Sequence, residues 1–312
     1  MHVLGIDVGG TKTICLLSDE EGRIVESAKG PGANLQAVGE LGLEKVLHAV
    51  MEETVAHQSV IPSAICLGIA GVDRPEDAAV VRGIMSRIGY KARILVVNDA
   101  LIALRAGIGE DPGVVIVAGT GSIAYGCDRN GYAARAGGWG YVLGDEGSGY
   151  WIGRLALRAI VREADGRSSP TSLTPRVLAH FGVDRPDELL QTVYHDDFEP
   201  AVVAALATHV QQAREDGDPV ATAILARGAE ELVGAAASVA TRLNLNGDEF
   251  PFVLAGGMFR AVPWLRDEVM RLLPAVAPSS RSLVLEVEPA LGAVRLALAE
   301  LDGGAKIPLY KS

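Results

Sequence analysis

The sequence is poor in cysteine, and the three it has are scattered. Cys15, Cys66 and Cys127 lie far apart, each in or beside an apolar stretch of strand character. There is no Cys-x-x-Cys pair and no Cys/His cluster to hold zinc or an iron–sulfur centre. The thiols read as buried core residues of a reducing compartment. Basic charge is also scarce. A net charge of −11 leaves no basic stripe to neutralise a nucleic-acid backbone, so no nucleic-acid partner is expected. No uninterrupted apolar run approaches the roughly 20 residues of a membrane span, so no membrane partner is expected either. The first residues carry no basic region or cleavage site, and Asp7 interrupts their apolar run. A secretory leader is therefore not expected, and a cytoplasmic location is. What remains, 49% hydrophobic and 21% charged residues, is the composition of an ordinary soluble protein. At 312 residues it is long enough for about two domains with a core each.

Because bulk charge is negative, an anionic ligand has to be bound locally, by backbone dipoles, hydroxyls and a metal. The first thirteen residues offer such a place. Val3-Leu4-Gly5-Ile6 reads as a strand ending on Asp7; Gly9-Gly10-Thr11-Lys12-Thr13 follows as a tight turn, then the strand Ile14-Cys15-Leu16-Leu17. Two glycines allow close backbone approach, so N–H groups can point at an anion. Thr11 and Thr13 add hydroxyls, Lys12 adds a positive charge, and Asp7 could hold a divalent metal beside anionic oxygens. Taken alone, the stretch also fits an ordinary hairpin whose glycines merely supply positive φ.

The same arrangement occurs a second time. Val114 to Ala118 is an apolar strand, followed by Gly119-Thr120-Gly121-Ser122 and the strand Ile123 to Gly126. Each hairpin runs into a polar turn (Ser18 to Gly22, Cys127 to Gly131) and a third strand. A β-meander that repeats with a Gly/Thr turn at its first corner predicts two similar domains facing each other, each with one phosphate-binding hairpin.

Between and beyond the repeats the pattern alternates. A helical stripe from Leu35 to Met51, a strand at Ala64–Ile69, a helix from Pro75 stopped by Gly89, a strand at Arg93–Val97 ending at Asn98-Asp99, and a helix at Ala100–Ala106 predict parallel pairing with right-handed crossovers. After the second meander, glycines and acids crowd the loop 137–149, ahead of a helix from about Tyr150 to Glu163. Helical segments follow at Pro175–Phe181, Pro186–Tyr194, Pro200–Arg214 and Pro219–Leu243. Phe252-Val253-Leu254 then leads into Ala255-Gly256-Gly257, a strand-to-helix turn suited to close approach of a ligand. Leu283–Val287 is expected as the last strand, and Ala290–Glu300 as a closing helix that packs back across the junction.

These motifs resemble a known superfamily. Asp-x-Gly-Gly-Thr at 7–11, Gly-Thr-Gly-Ser at 119–122 and Ala-Gly-Gly at 255–257 are similar to the two phosphate motifs and the adenosine motif of the actin/sugar-kinase/heat-shock-70 ATPases. Asn98-Asp99-Ala100, Gly138-Trp139-Gly140 and Leu143 to Ser148 are similar to its N-acetylglucosamine kinase branch. The resemblance implies an α/β fold of duplicated actin-like (ribonuclease H-like) domains, with mixed sheets flanked by helices around a central cleft. The expected divisions are 1–112, 113–288 and a closing segment 289–312. It implies ATP and Mg²⁺ as cofactors, an amino sugar as substrate, and allows a homodimer. Asp7 would contact Mg²⁺. Gly9, Gly10, Thr11, Lys12, Thr13 and Gly119 to Ser122 would hold the ATP phosphates from two sides, and Gly256 and Gly257 would lie near the adenosine. Asp99 would be the catalytic base, and Asn34, Asp99, Gly138, Trp139 and Asp145 would contact the sugar.

Each role has a plainer rival. Asp99 could be the N-cap of its helix and Asp145 a cap for the helix at Tyr150. Trp139 could be core, and Asn34 turn chemistry after Pro-Gly. At the level of function, the related ATPases that activate 2-hydroxyacyl-CoA dehydratases and benzoyl-CoA reductases share the hairpins but need cluster-holding cysteines. The repressor/kinase sugar family carries a Cys/His zinc motif and a Glu-x-Gly-His motif, and this sequence has neither.

Overall fold

The computed structural model of the chain describes every residue except 57, 59, 73, 196–198 and 312. The first half consists of β1 (His2–Val8), β2 (Lys12–Asp19), β3 (Ile24–Pro31), α1 (Leu35–Ala56), β4 (Ala64–Ile69), α2 (Pro75–Ile88), β5 (Arg93–Asn98) and α3 (Asp99–Ile108). The second begins with β6 (Gly113–Ala118), β7 (Ser122–Cys127) and β8 (Tyr132–Gly137). A helical stretch follows: α4 (Gly149–Ala164), α5 (Leu173–Phe181), α6 (Leu189–Val193), α7 (Pro200–Ala205), α8 (Ala207–Glu215) and α9 (Pro219–Arg242). The chain closes with β9 (Pro251–Ala255), α10 (Met258–Ala261), α11 (Pro263–Val276), β10 (Arg281–Val284), α12 (Ala290–Leu301) and β11 (Leu309–Tyr310).

The duplication read from the hairpins extends to the sheets. One has the order β3-β2-β1-β4-β5; the other, β10-β9-β6-β7-β8-β11, contains the same five-strand arrangement. In each, a meander is antiparallel (β1 with β2, β6 with β7) and the next two strands join in parallel (β1 with β4, β6 with β9). β1 and β6 are therefore the matching central strands, and β5 and β10 the matching ends. Central parallel strands are covered on both faces, which is why β1, β4 and β6 read as almost continuous apolar runs.

Alternation along β1 divides two cores. Leu4, Ile6 and Val8 face α1 and α2, packing with Leu47, Met51, Ile84 and Met85. Val3, on the other face, joins Ile102, Leu104, Ala293 and Val294 of α3 and α12, together with Val115 and Val253 of the second sheet. Gly5 shares the face of Val3, and a Cβ there would fall 2.5 Å from the Val294 nitrogen, so α12 lies directly on β1. Asp7, two residues further along that face, is the point where the strand leaves the helix. α3 and α12 fill the space between the two sheets. They cross at Gly292, where a Cβ would fall 1.9 Å from the carbonyl oxygen of Ile102. The largest core lies under the helices of the second half, among Phe252, Leu254, Leu225 and Phe259.

Three boundaries differ from the sequence reading. The strand expected at Leu283–Val287 is β10, at Arg281–Val284. Its partner β9 turns away at Gly256, and the last ladder bond runs from the Leu285 N–H to the Leu254 carbonyl. The single helix expected over Pro200–Arg214 is two, divided at Leu206, whose side chain is fully buried and anchors the bend in the core. The segment Pro186–Tyr194 opens as a 3₁₀ turn before α6. A two-residue strand, β11, adds in parallel to β8 and was not anticipated.

Candidate active site

The first turn is shaped from below by the end of β3. The Gly9 N–H donates to the Lys12 carbonyl (3.0 Å), and the Ala33 N–H to the Gly9 carbonyl (3.1 Å). A Cβ on Gly32 would fall 2.1 Å from the Gly10 carbonyl oxygen, so only glycine lets the two segments lie this close. Gly10 and Thr11 are left exposed at the tip. Thr13 is fully buried and its hydroxyl donates to the Pro31 carbonyl (2.8 Å). Of the two hydroxyls in this turn, Thr11 faces outward and Thr13 ties β2 to β3.

The second turn is held by the start of α4. The Gly149 and Tyr150 N–H groups donate to the carbonyls of Gly119 and Thr120 (2.9 and 3.3 Å), and the Ser122 hydroxyl donates to the Glu146 carbonyl (2.8 Å). Parallel pairing of β6 with β9 sets Gly256 beside this turn. Gly256 has φ 106°, and a Cβ there would fall 2.2 Å from the Ala118 carbonyl oxygen. Gly257 precedes α10 directly. The second turn and the glycine pair thus form one contiguous edge.

Asp7 and Asp99 both lie at the C-terminal ends of parallel strands, where α/β sheets place ligands. β4 lies between β1 and β5, pairing Asp7 with Gly68 and Gly68 with Val97. Asp99 is the first residue of α3. The cap of that helix is Asn98, whose side-chain oxygen accepts the Ala100 N–H at 2.8 Å. Asp99 therefore does not cap. Burial pushes the Asp7 carboxyl up to about 7, the charges of Asp99 and Glu288 push the same way, and Lys12 opposes them. A buried carboxylate surrounded by like charge is a poor anion and a good cation ligand. Asp7, which feels the charge of Asp99, could contribute one ligand to a divalent metal such as Mg²⁺.

That geometry has a consequence for stability. An acid raised by the fold disfavours the native state wherever it is ionised. For Asp7 the cost is absent below its ordinary value of 3.8 and is complete above about 7, so stability falls as pH rises through that window. In chelator, Asp7→Asn is expected to raise the melting temperature at pH 8 by a few degrees and to leave it unchanged at pH 4. A variant that melts lower at pH 8 would contradict the assignment.

Asp145 is buried, with φ 60°, and its carboxylate lies near the backbone N–H groups of Ser122 and Gly140, which favour its ionised form. A Cβ on Gly121 would fall 2.5 Å from its Oδ2, so the turn needs glycine at 121 for this carboxylate to fit. Burial pushes Asp145 up to about 6 despite those N–H groups. The residue joins the second turn to the Gly-Trp-Gly loop. The cap of α4 is Ser148, whose hydroxyl accepts the Trp151 N–H at 3.2 Å. Gly138 has φ 71° and donates its N–H to the Ser122 carbonyl (3.0 Å). Trp139 is not core: it is 64% exposed, with the Arg135 guanidinium 4.6 Å over its ring. The Asn34 carbonyl accepts the Val38 N–H, and its side chain lies near Gly71, just after β4.

Two groups of residues result. Asp7, Lys12, Asp99 and the first turn sit on one sheet; the second turn, Gly256, Gly138 and Asp145 sit on the other. Lys12 Nζ reaches Glu288 Oε2 at 2.6 Å and links them. Glu288, missed from the sequence, precedes α12; the internal repeat, which matches β10–α12 to β5–α3, could have found it.

Comparison with known proteins places the chain in a family. The chain is 34% identical over 305 residues to an N-acetylmuramic acid/N-acetylglucosamine kinase of Clostridium acetobutylicum, covering 96% of this chain and 99% of that one. It is 33% identical over 310 residues to an N-acetyl-D-glucosamine kinase of Dictyostelium discoideum, covering 95% and 97%. Among solved structures, a Chromobacterium violaceum protein assigned as an N-acetylglucosamine kinase superposes with a TM-score of 0.79 at 28% identity, covering 95% of this chain and 98% of that one. A Streptomyces griseus glucokinase of the ROK family, solved with glucose and AMPPNP, shares the fold at TM-score 0.62 and 20% identity, over 97% and 100% of the two chains. The matching family model runs from residue 4 to residue 297, and the chain is a member of the BadF/BadG/BcrA/BcrD ATPase family, in its N-acetylglucosamine kinase-like branch.

Proposed function

We propose that the protein is an ATP-dependent kinase that phosphorylates a hydroxyl of an amino sugar, N-acetylglucosamine or glucosamine. The observation that carries this reading is the placement of Asp99. It stands at the C-terminal end of β5, relieved of capping by Asn98 and near enough to Asp7 for its charge to act there. Phosphoryl transfer needs little from a protein beyond positioning and neutralisation of charge. The exposed turn at Gly9 to Lys12 and the turn at Gly119 to Ser122 would hold the ATP phosphates from two sides, with Gly256 and Gly257 beside the adenosine. Asp99 would hold the attacking hydroxyl and take its proton. Asn34, Gly138 and Trp139 would orient the sugar, and Asp145 would fix the loop that carries them. Mg²⁺, held by Asp7, would neutralise charge on the phosphates.

The division into halves at 112/113, with 289–312 closing back, belongs to the same proposal: the ligands would lie between halves that approach each other and exclude water. So do a cytoplasmic location, the absence of nucleic-acid and membrane partners, and assembly as a homodimer. Among the described residues no helix is long and apolar enough to cross a membrane. The rival reading, an activator ATPase with an iron–sulfur cluster, fits poorly. Cys15, Cys66 and Cys127 are all buried inside the strands, and burial raises each thiol above its ordinary value, away from the thiolate a cluster needs.

The test is ADP release with Mg²⁺ and ATP across N-acetylglucosamine, glucosamine, N-acetylmuramic acid and N-acetylmannosamine. At least one sugar is expected to raise turnover about tenfold or more above the hydrolytic background. If none does, and ATP consumption instead follows an electron acceptor, the kinase reading fails.

A further inference from the structure

The Lys12–Glu288 pair joins the tip of the first phosphate turn to the loop before α12. Lys12 Nζ and Glu288 Oε2 are 2.6 Å apart, and both Asp99 and Glu288 act on Asp7 in the same neighbourhood. The two partners are 32% and 47% exposed, so the pair contributes little to stability and opens easily. Its position has an internal counterpart. Asp99 follows β5 and starts α3; Glu288 follows β10 and precedes α12, the matching strand and helix of the second half. The duplication thus sets one acid from each half at the ends of the two central helices. Asp99 lies near enough to Asp7 for its charge to act there, while Glu288 holds the cation of the phosphate turn.

We propose that Glu288 is a latch on Lys12: it competes with the phosphates of the nucleotide for that ammonium, and phosphate must open the ion pair in order to bind. The inference rests on reading the first turn as a phosphate cradle. An ammonium engaged to a carboxylate at 2.6 Å has at most part of its donor capacity left for another anion. That competition makes the pair an affinity-lowering device that acts only on the phosphate end of a nucleotide. Because Glu288 leads directly into α12, which lies on Gly5 of β1 and crosses α3 at Gly292, release of the latch also frees the end of the helix that packs against the element bearing Asp99.

The test is a double-mutant cycle on nucleotide binding without sugar, by calorimetry with Mg²⁺-ATP and with adenosine. Glu288→Gln is expected to tighten ATP binding about three- to tenfold and to leave adenosine binding unchanged. In a Lys12→Met background the same change is expected to alter ATP affinity by less than about twofold, because the competed cation is gone. Weaker ATP binding by Glu288→Gln would overturn the latch and make Glu288 a support for the cradle. An equal gain with and without Lys12 would overturn it in favour of simple repulsion. A matching change for adenosine would mean that the site was reshaped. If adenosine binds the wild-type protein and ATP gains nothing from its phosphates, the cradle itself is wrong and the latch falls with it.

Discussion

Asp99→Asn is expected to lower kcat by roughly 10²–10⁴, with ATP affinity and melting temperature nearly unchanged. The substitution keeps size and polarity and removes only the capacity to take a proton. It is informative because the structural rival is already assigned elsewhere: the cap of α3 is the side chain of Asn98, bonded to the Ala100 N–H. A role of Asp99 in capping therefore cannot account for a loss. The phosphates are assigned to the turns and Lys12, so binding of ATP should not report the change. Measuring kcat, ATP affinity and thermal stability on one preparation separates these contributions. Near-normal kcat in a folded, ATP-binding variant would end the case for Asp99 as the base.

Gly292→Ala is expected to destabilise the protein by about 3 kcal/mol or more, a fall in melting temperature of roughly 6–12 °C. A Cβ at this position would fall 1.9 Å from the Ile102 carbonyl oxygen and 2.7 Å from the Ala106 nitrogen. Both are backbone atoms of a helix, so no side chain can swing aside to make room, and α3 and α12 must separate. Activity should fall as well, since α3 carries Asp99. Gly234 is the matched control. It lies on the exposed face of α9 with nothing near a Cβ, and alanine there should be neutral or stabilise by about 0.5–1 kcal/mol. Equal stability of the two variants would mean that the helices do not cross as described.

Local chemistry was the legible part of this molecule. A glycine pair between two apolar runs announces a hairpin, and two such hairpins with similar polar turns announce a duplication, because both signals lie within a few dozen residues. Alternation of strand and helix likewise carried the parallel additions β4 and β5. The start and stop of α2 were also local: Pro75 with Glu76 and Asp77 in the first turn, and Gly89 left-handed at the end. Signals that depend on distant partners were not legible. The Lys12–Glu288 pair spans 276 positions. Asp145 was open between sugar ligand and cap; the cap of α4 is Ser148, and the nearness of Asp145 to the N–H groups of Ser122 and Gly140 is set only by the folded loop. Thr13 by its chemistry and Ser122 by the family resemblance were expected at the phosphates; that both hydroxyls donate to backbone carbonyls depends on distant segments of the fold. β10 stops early because its neighbour β9 stops, a fact written in residues 251–256 rather than in 283–287.

Activator ATPases and sugar kinases share the paired turns, and the fate of the γ-phosphoryl group separates them. The most direct test is ³¹P NMR of the wild-type protein with ATP, Mg²⁺ and the amino sugar that best stimulates ADP release. The account predicts a phosphomonoester of the sugar formed in step with ADP, and its loss with Asp99→Asn. Inorganic phosphate as the sole new phosphorus product, in step with ADP, would contradict it.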